Sequence, residues 1–380
     1  MNKTVAVLRC ENYEPALILD KMREAYLLSG GSDVLDVAGK KVLLKPNILR
    51  DRAVSKAVTT HPEFLRAAIR LMKELGAAKI YVGDSPGFQI KGSRAKNCGI
   101  WDVCQDEDIE WYDFSSRITT ISSPNGQVIN QFQVSDIVDK VDLIISLPKL
   151  KTHQLMYFTG AIKNQFGLLP GFTKSPMHML FPGRNSFAKM IVDLHEAVNP
   201  AFAFMDGIIS MEGPGPGNGN PVLTKLLLAS SNLLALDITA CKIIGYAPDI
   251  IPINREAVDR SIWLESSDDI ETAGLNLKEA KVHQFQKIIP SGSKTALLEY
   301  YAPKFIKRFD ARLQPKPVFS KERCIQCGAC VKICPAEALK INGMVKINYD
   351  KCIRCFCCHE VCPENAITVK RTIRTSGVMH

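Results

Sequence analysis

The sequence predicts an α/β fold, with a largely parallel or mixed sheet and flanking helices, followed by a small α+β module. Two observations predict the first part. Strand-like and helix-like segments alternate over most of the chain, and one Asn-Gly pair between β-rich arms interrupts them as a hairpin. A third predicts the second part: a stretch near the C-terminus repeats itself 28 residues later.

The elements follow in order. "TVAVLR" reads as a strand, and "PALILDKMREAYLLSG" as a helix ending at glycine. "KKVLLKPN" is a strand. "HPEFLRAAIRLMKELG" is a helix with Pro62 near its start and Gly76 after its end, and His61 reads as a cap-region residue. "AKIYVGD" is a strand, and "RITTISSPNGQVINQFQV" is the hairpin around Asn125-Gly126. "VDLIISLP" resumes the buried strands, and a long irregular segment follows. The helix "SFAKMIVDLHEAV", the strands "AFAFMDGI" and "KLLLASS", and the helix "NLLALDITACKIIGY" complete the body. The expected divisions are a body over 1–300, a basic linker over 301–323 holding Pro303, Pro315 and Pro317, the small module over 324–370, and a tail over 371–380.

A chain of 380 residues, 46% of them hydrophobic, is expected to form two or three domains with a sizeable core. The start, "MNKTVAVLRCENYEP", has no signal-peptide apolar region, and no apolar run approaches the ~20 residues that span a bilayer. A cytoplasmic protein without membrane insertion is expected. The net charge of +9 is local. Residues 1–300 carry 33 basic and 33 acidic side chains, whereas 301–380 carry 15 and 6. The basic linker is a candidate docking patch for an acidic partner. Nucleic acid is not expected as a partner, because no recognised motif or interleaved stacking aromatics accompany the charge.

Nine of the 13 cysteines lie between residues 324 and 362. The pattern Cys-x2-Cys-x2-Cys-x3-Cys-Pro occurs twice, in "CIQCGACVKICP" and "CIRCFCCHEVCP". Three closely spaced thiolates of one loop wrap a corner of a four-iron cube, and the fourth reaches the other cube. Cys324, Cys327, Cys330 and Cys362 are therefore expected to hold one 4Fe–4S cluster, and Cys334, Cys352, Cys355 and Cys358 a second. Zinc sites instead use paired two-cysteine arms. Pro335 and Pro363 are expected to start short helices, "PAEAL" and "PENAI". Cys357, next to a ligand, reads as an unligated thiol. Phe356 stands where the first copy has Gly328, so the second loop is not expected to use a left-handed backbone there, and the ring would shield the cluster from water. The region closely resembles bacterial-type ferredoxins with two four-iron clusters.

In open α/β sheets ligands bind at the carboxyl ends of strands. Polar groups follow each strand of the body: Lys45 and Asn47, Asp84 and Ser85, then Lys149, Lys151 and His153 in "PKLKTH", then Asp206. Residues 143–192 hold six lysines and arginines, together with His153 and His178, and no acid. This predicts either an anion site, with Lys163 and Asn164 joining the residues above, or a basic face turned to the cysteine module. His153 is the candidate proton donor, with Lys151 beside it, because an unperturbed imidazole titrates near neutrality. The loop "EGPGPGNGNP" lacks the Gly-Lys-Ser/Thr of a phosphate loop, and its prolines obstruct a dinucleotide turn, so it reads as a structural or gating loop. Cys10, Cys98, Cys104 and Cys241 read as buried thiols.

The segments "KPN", "GDSP", "PKLKTH", "GAIKNQFG", "DGIISMEGPGP" and "LDITACKIIGY" resemble the domain of unknown function 362 over roughly residues 1–280. Members are often fused to a two-cluster ferredoxin module. The resemblance implies a shared fold and no reaction. Three functions stay open. The first is an oxidoreductase that takes electrons from a ferredoxin or another redox protein and passes them to an anionic small molecule. The second is a non-catalytic electron-transfer or assembly subunit docking on a partner enzyme. The third is a non-redox enzyme whose clusters are structural. No flavin, nicotinamide or radical-SAM pattern is present.

Overall fold

Alternate residues of each central strand go to opposite faces of one sheet, and both faces are apolar. In β1 (Thr4–Arg9), Val5 and Val7 join one core while Ala6 and Leu8 join the other. The same division runs through β2 (Lys41–Pro46), where Leu43 opposes Val42 and Leu44. Strands buried on both sides require helices above and below, and the computed structural model has them. It describes residues 2–86, 95–288 and 315–370. Helices Pro15–Leu28 and Pro62–Glu74 cover one face, and Arg184–Val198 and Leu233–Ile243 cover the other.

The remaining strands are β3 (Lys79–Val82), β4 (Glu110–Trp111), β5 (Ile118–Ser122), β6 (Gln131–Ser135), β7 (Leu143–Leu147), β8 (Lys149–His153), β9 (Tyr157–Thr159), β10 (Phe202–Glu212), β11 (Asn220–Ser230) and β12 (Glu271–Gly274). The main sheet runs β12-β1-β11-β10-β7-β2-β3-β4, with β8 beside β10 and β9 beside β8. β10, β7, β2, β3 and β4 are parallel, while β11 is antiparallel to both β10 and β1. The sheet is thus mixed, with helices on both faces. β5 and β6 pair as the expected hairpin, whose turn is held by Asp193 accepting the Gln127, Val128 and Ile129 N–H groups. His61 caps its helix as expected, Nδ1 accepting from the Glu63 N–H. The four scattered cysteines are buried thiols.

The segment "PKLKTH" is not a loop. Lys149–His153 is β8, buried at all five positions, and with β9 it forms an antiparallel pair that continues the sheet. Ion pairing and backbone hydrogen bonds let lysines occupy a strand that polarity alone assigns to a turn. The irregular segment after it contains helix Gly171–Leu180.

The cysteine module opens earlier than the first cysteine. β13 (Lys316–Phe319), within the stretch read as linker, pairs antiparallel with β16 (Ile367–Lys370), and β14 (Leu339–Ile341) pairs with β15 (Val345–Ile347). Residues 301–314 of the expected linker and the tail 371–380 lie outside the described residues. The repeat is written in the backbone. Gln326, Gly328 and Glu337 have positive φ, and so do Arg354, Phe356 and Asn365, each 28 residues later. The short helices are Ala329–Ile333 and Cys357–Val361, so each precedes its Cys-Pro pair instead of following it. Cys334 and Cys362 cap the C-terminal ends, and the prolines stand just past the caps, where they stop a helix. Phe356 adopts the left-handed conformation, φ 64°, close to the 77° of Gly328. That costs a non-glycine residue roughly 1–2 kcal/mol. The ring is 2% exposed and packs into the core of the body, worth about 1.5–3 kcal/mol, so burial offsets the strain. The ring thus packs the second loop against the body.

Candidate functional site

A cavity of about 100 Å³ opens beyond the ends of β2 and β3. Its floor is a buried ion pair: Lys45 Nζ lies 3.0 Å from Asp84 Oδ1. The same ammonium donates to Asn164 Oδ1 at 3.2 Å and to the Pro46 carbonyl. Asp84 also accepts the N–H groups of Ile48 and Ser85. Asn164 donates to the Lys45 carbonyl and to Ser146 Oγ, tying its segment to the tips of β2 and β7. A Cβ on Gly167 would stand 2.1 Å from Asp84 Oδ1, so only glycine lets this segment lie against the pair.

Lys163 and Asn164 are presented by the short turn Ala161–Asn164. Its start is held by Asp237, which accepts the N–H groups of Ala161 at 2.6 Å and Ile162 at 3.0 Å from across the fold. Burial pushes the Asp237 carboxyl up to about 7 against those two bonds. Lys163 lines the cavity, and among the described residues its ammonium donates no hydrogen bond; the Phe166 ring is 5.8 Å away. Burial lowers its pKa, with Glu360 and Cys357 opposing. Lys174 donates to the Ser85 carbonyl, and burial drops its pKa to about 7, Asp84 opposing and Lys45 and Lys163 adding to the fall. His178 stacks on Phe187 at 4.3 Å and is held neutral by burial, at about 3.

The opposite wall comes from the cysteine module. Ile333, Cys357, Glu360 and Val361 line the same cavity. His153 Nε2 is 3.5 Å from Glu360 Oε1, while Nδ1 accepts the N–H groups of Leu155 and Met156. Those two acceptor bonds assign the proton to Nε2. The module is fastened by Asn218 donating to the His359 carbonyl and by Arg52 donating to the Pro363 carbonyl at 2.9 Å. Asn218 lies in the glycine-proline loop between β10 and β11, which therefore braces the module. Among the described residues, Ser85 Oγ, Glu360 Oε1 and Arg50 Nε are buried without a hydrogen-bond partner. All three residues line the cavity, which is thus provided with polar atoms that a ligand would satisfy.

Four of the module's cysteines gather at one place. Cys324, Cys327, Cys330 and Cys362 surround one small cavity. Burial pushes the Cys330 thiol up to about 11, with the nearby Cys327, Cys362 and Cys324 adding to the rise. Burial likewise raises Cys352, whose neighbours are Cys355 and Cys334. The backbone N–H of Ala338 points to Cys334 Sγ at 3.3 Å, and that of Ala366 to Cys362 Sγ at 3.2 Å. Such donors suit sulfurs that carry charge, so the residues present fit iron–sulfur ligation.

Of the residues the sequence singled out, Lys45, Asn47, Asp84, Ser85, His153, Lys163 and Asn164 meet at the cavity. Lys149, Lys151 and Asp206 are not among its lining residues. Lys149 and Asp206 form a separate buried pair at 2.7 Å, shared with Tyr13, whose ring stacks on His61 at 3.5 Å. Lys151 stands one residue behind the cavity, donating to Asn47 Oδ1 and the Val58 carbonyl; burial, Lys163 and Lys149 lower its pKa to about 7. The ground for choosing His153 as proton donor does not hold, because burial and the cations Lys163 and Lys151 push its pKa well below 6.5. Sequence reasoning missed Asp237, Arg50, Glu360 and the position of Cys357. Only the acid-free run pointed toward Lys174 and His178.

The family model described as "Domain of unknown function (DUF362)" matches residues 42–242, and one described as a 4Fe-4S dicluster domain matches residues 316–363. The thylakoid-associated protein sll1697 of Synechocystis is 35% identical over 254 residues, 66% of this chain and 78% of the relative. Among solved structures, a lactate racemase apoprotein from Thermoanaerobacterium thermosaccharolyticum aligns with a TM-score of 0.38 and 12% identity over 61% of this chain and 55% of that one. A Thermotoga maritima protein aligns at 0.33 and 11%, over 68% of this chain and 61% of that one. The chain thus spans little more than half the length of these two structures. Among the described residues, no helix is long and apolar enough to cross a membrane.

Proposed function

The chain belongs to the DUF362 family and carries a 4Fe–4S dicluster domain, and from that premise we propose that it is an oxidoreductase with two clusters that delivers electrons to a small anion held between its two parts. Cys324, Cys327, Cys330 and Cys362 hold one cluster, and Cys334, Cys352, Cys355 and Cys358 the other. Bound clusters of this type supply low-potential single electrons. The observation that carries the reading is the shared cavity, with Lys163 and Lys174 on one wall and the Cys357 loop on the other.

Lys163 is the primary anion-binding group, because its ammonium has no protein partner among the described residues and already sits desolvated. Ser85 Oγ and His153 Nε2–H orient the ligand by hydrogen bonds. Lys45, Asp84 and Asn164 fix the floor. Lys174, poised near 7, is the proton donor in place of His153. Burial under the docked module excludes water and strengthens each of these contacts. Supporting a catalytic site over a docking platform are the three buried polar groups lining the cavity that have no hydrogen-bond partner among the described residues.

The test is anaerobic reconstitution, followed by titration with acetate and with phosphate. Iron and sulfide should reach the content of two four-iron clusters. Either anion should bind stoichiometrically and shift the EPR spectrum of the reduced protein. Lys163→Met should abolish the shift and leave the cluster content unchanged. Binding that Lys163→Met leaves intact would end the reading.

A further inference from the structure

The two halves of the repeat share a backbone and differ in surroundings. In the second loop, Phe356 and Cys357 are buried against the body, and Cys357 lines its cavity. The first loop faces out: Lys321, Arg323, Ile325 and Cys327 are all exposed, Ile325 to 62%. Beside it runs a groove of about 390 Å³ lined in part by Lys321, Cys324, Gln326, Met344 and Lys346. In the β14–β15 ribbon Lys346 stands directly opposite Lys340, and both are exposed. Like charges facing across a ribbon destabilise it, unless an acidic surface lies against them. Two acids border this face: Glu322 accepts from Ser320 Oγ, and Glu364 is exposed beside Ile325 and Cys327, so among the described residues Lys321, Arg323, Lys340 and Lys346 outnumber them.

We propose that this face docks an acidic one-electron carrier protein. Ile325 and the sulfur of Cys327 form its centre, and Lys321, Arg323 and Lys346 form the rim. One electron leaves the carrier, which is oxidised, and enters the module at the first loop; the second loop then faces the site where it is used. The apolar centre with a charged rim matches transient protein interfaces, and the rim steers an acidic partner by long-range attraction. The proposal deepens the reading above and rests on its cluster assignment.

The experiment uses the full, reconstituted chain and a strongly acidic, prereduced [2Fe–2S] ferredoxin as the probe. The wild-type reduction rate should fall as salt rises. In Lys321→Glu/Lys346→Glu that rate should drop about tenfold at low salt, and the dissociation constant for the ferredoxin should rise in step. The methyl viologen radical cation should reduce the double variant at least as fast as wild type. Ile325→Ser should slow the ferredoxin reaction at all salt concentrations. A salt-independent wild-type rate, a double variant reduced at the wild-type rate, or equal slowing with both reductants would overturn the docking face. A wild-type chain with no reducible centre would instead overturn the cluster assignment, and the docking face with it. Anion binding at the cavity is unaffected by either surface change, so its failure is read separately.

Discussion

Lys163→Met separates a ligand-binding lysine from a structural one. In the folded chain Lys163 is half-buried at the cavity wall, its pKa is lowered by desolvation, and it makes no hydrogen bond among the described residues. Removing it leaves no carboxylate stranded except Glu360, whose carboxyl burial already raises and which then takes up a proton. Met keeps the aliphatic bulk. The stability change should therefore stay within about 1 kcal/mol, in either direction. Lys45→Met is the contrast. It leaves Asp84 buried and unpaired, and breaking such a pair costs about 3–5 kcal/mol. For binding the order reverses. A charge-assisted hydrogen bond from Lys163 to an anion is worth about 1.5–3 kcal/mol, which is roughly a 10- to 150-fold rise in dissociation constant when it is lost. Urea unfolding gives the first quantity, and calorimetric titration with acetate or phosphate the second. A Lys163→Met protein destabilised by more than ~2 kcal/mol would make the lysine structural and refute the reasoning. So would one that binds the anion like wild type.

Three further outcomes are expected. Asp237→Asn should lower stability by about 1–2 kcal/mol, since the amide replaces a carboxylate that accepts two backbone N–H groups; anion affinity should fall with it while the cluster EPR signals persist. Anion affinity should be level below pH 7 and should fall by up to tenfold per unit above it, because Lys174, lowered by burial to about 7, loses its charge there and a bound anion favours the ammonium; titration at several pH values checks this, and Lys174→Met should flatten the profile. Phe356→Ala empties a site in the body's core and should cost about 3–5 kcal/mol of packing, loosening the module so that limited proteolysis of the chain accelerates.

Local periodicity made most of the body legible. The alternation of Val5, Ala6, Val7 and Leu8 between two apolar faces is visible in the letters, and the strand and helix order follows from it. The cysteine spacing was equally direct, because three ligands on one short loop leave little choice of chemistry. "PKLKTH" was misread because a lysine-rich strand is stable only when Asp206 and backbone carbonyls meet the ammonium groups, and those partners are distant in sequence. The Cys-Pro helices were misplaced for a smaller reason: proline at a helix start and proline just past a helix end look the same in the letters.

The cavity was half legible. Lys45, Asp84, Lys163 and Asn164 could be listed because each follows a strand or sits in an acid-free run. Their pairing could not, since nothing in the letters says that Asp84 neutralises Lys45 and leaves Lys163 free of a hydrogen-bond partner among the described residues. The sequence by itself determined that the chain is a layered α/β body followed by a duplicated iron–sulfur motif, because periodicity and ligand spacing are local. Only the tertiary structure decided that Phe356 packs the second loop against the body and that Cys357 and Glu360 close the cavity. Burial of a ring and approach of two walls are long-range events, fixed by packing across more than two hundred residues and not by any one stretch of them.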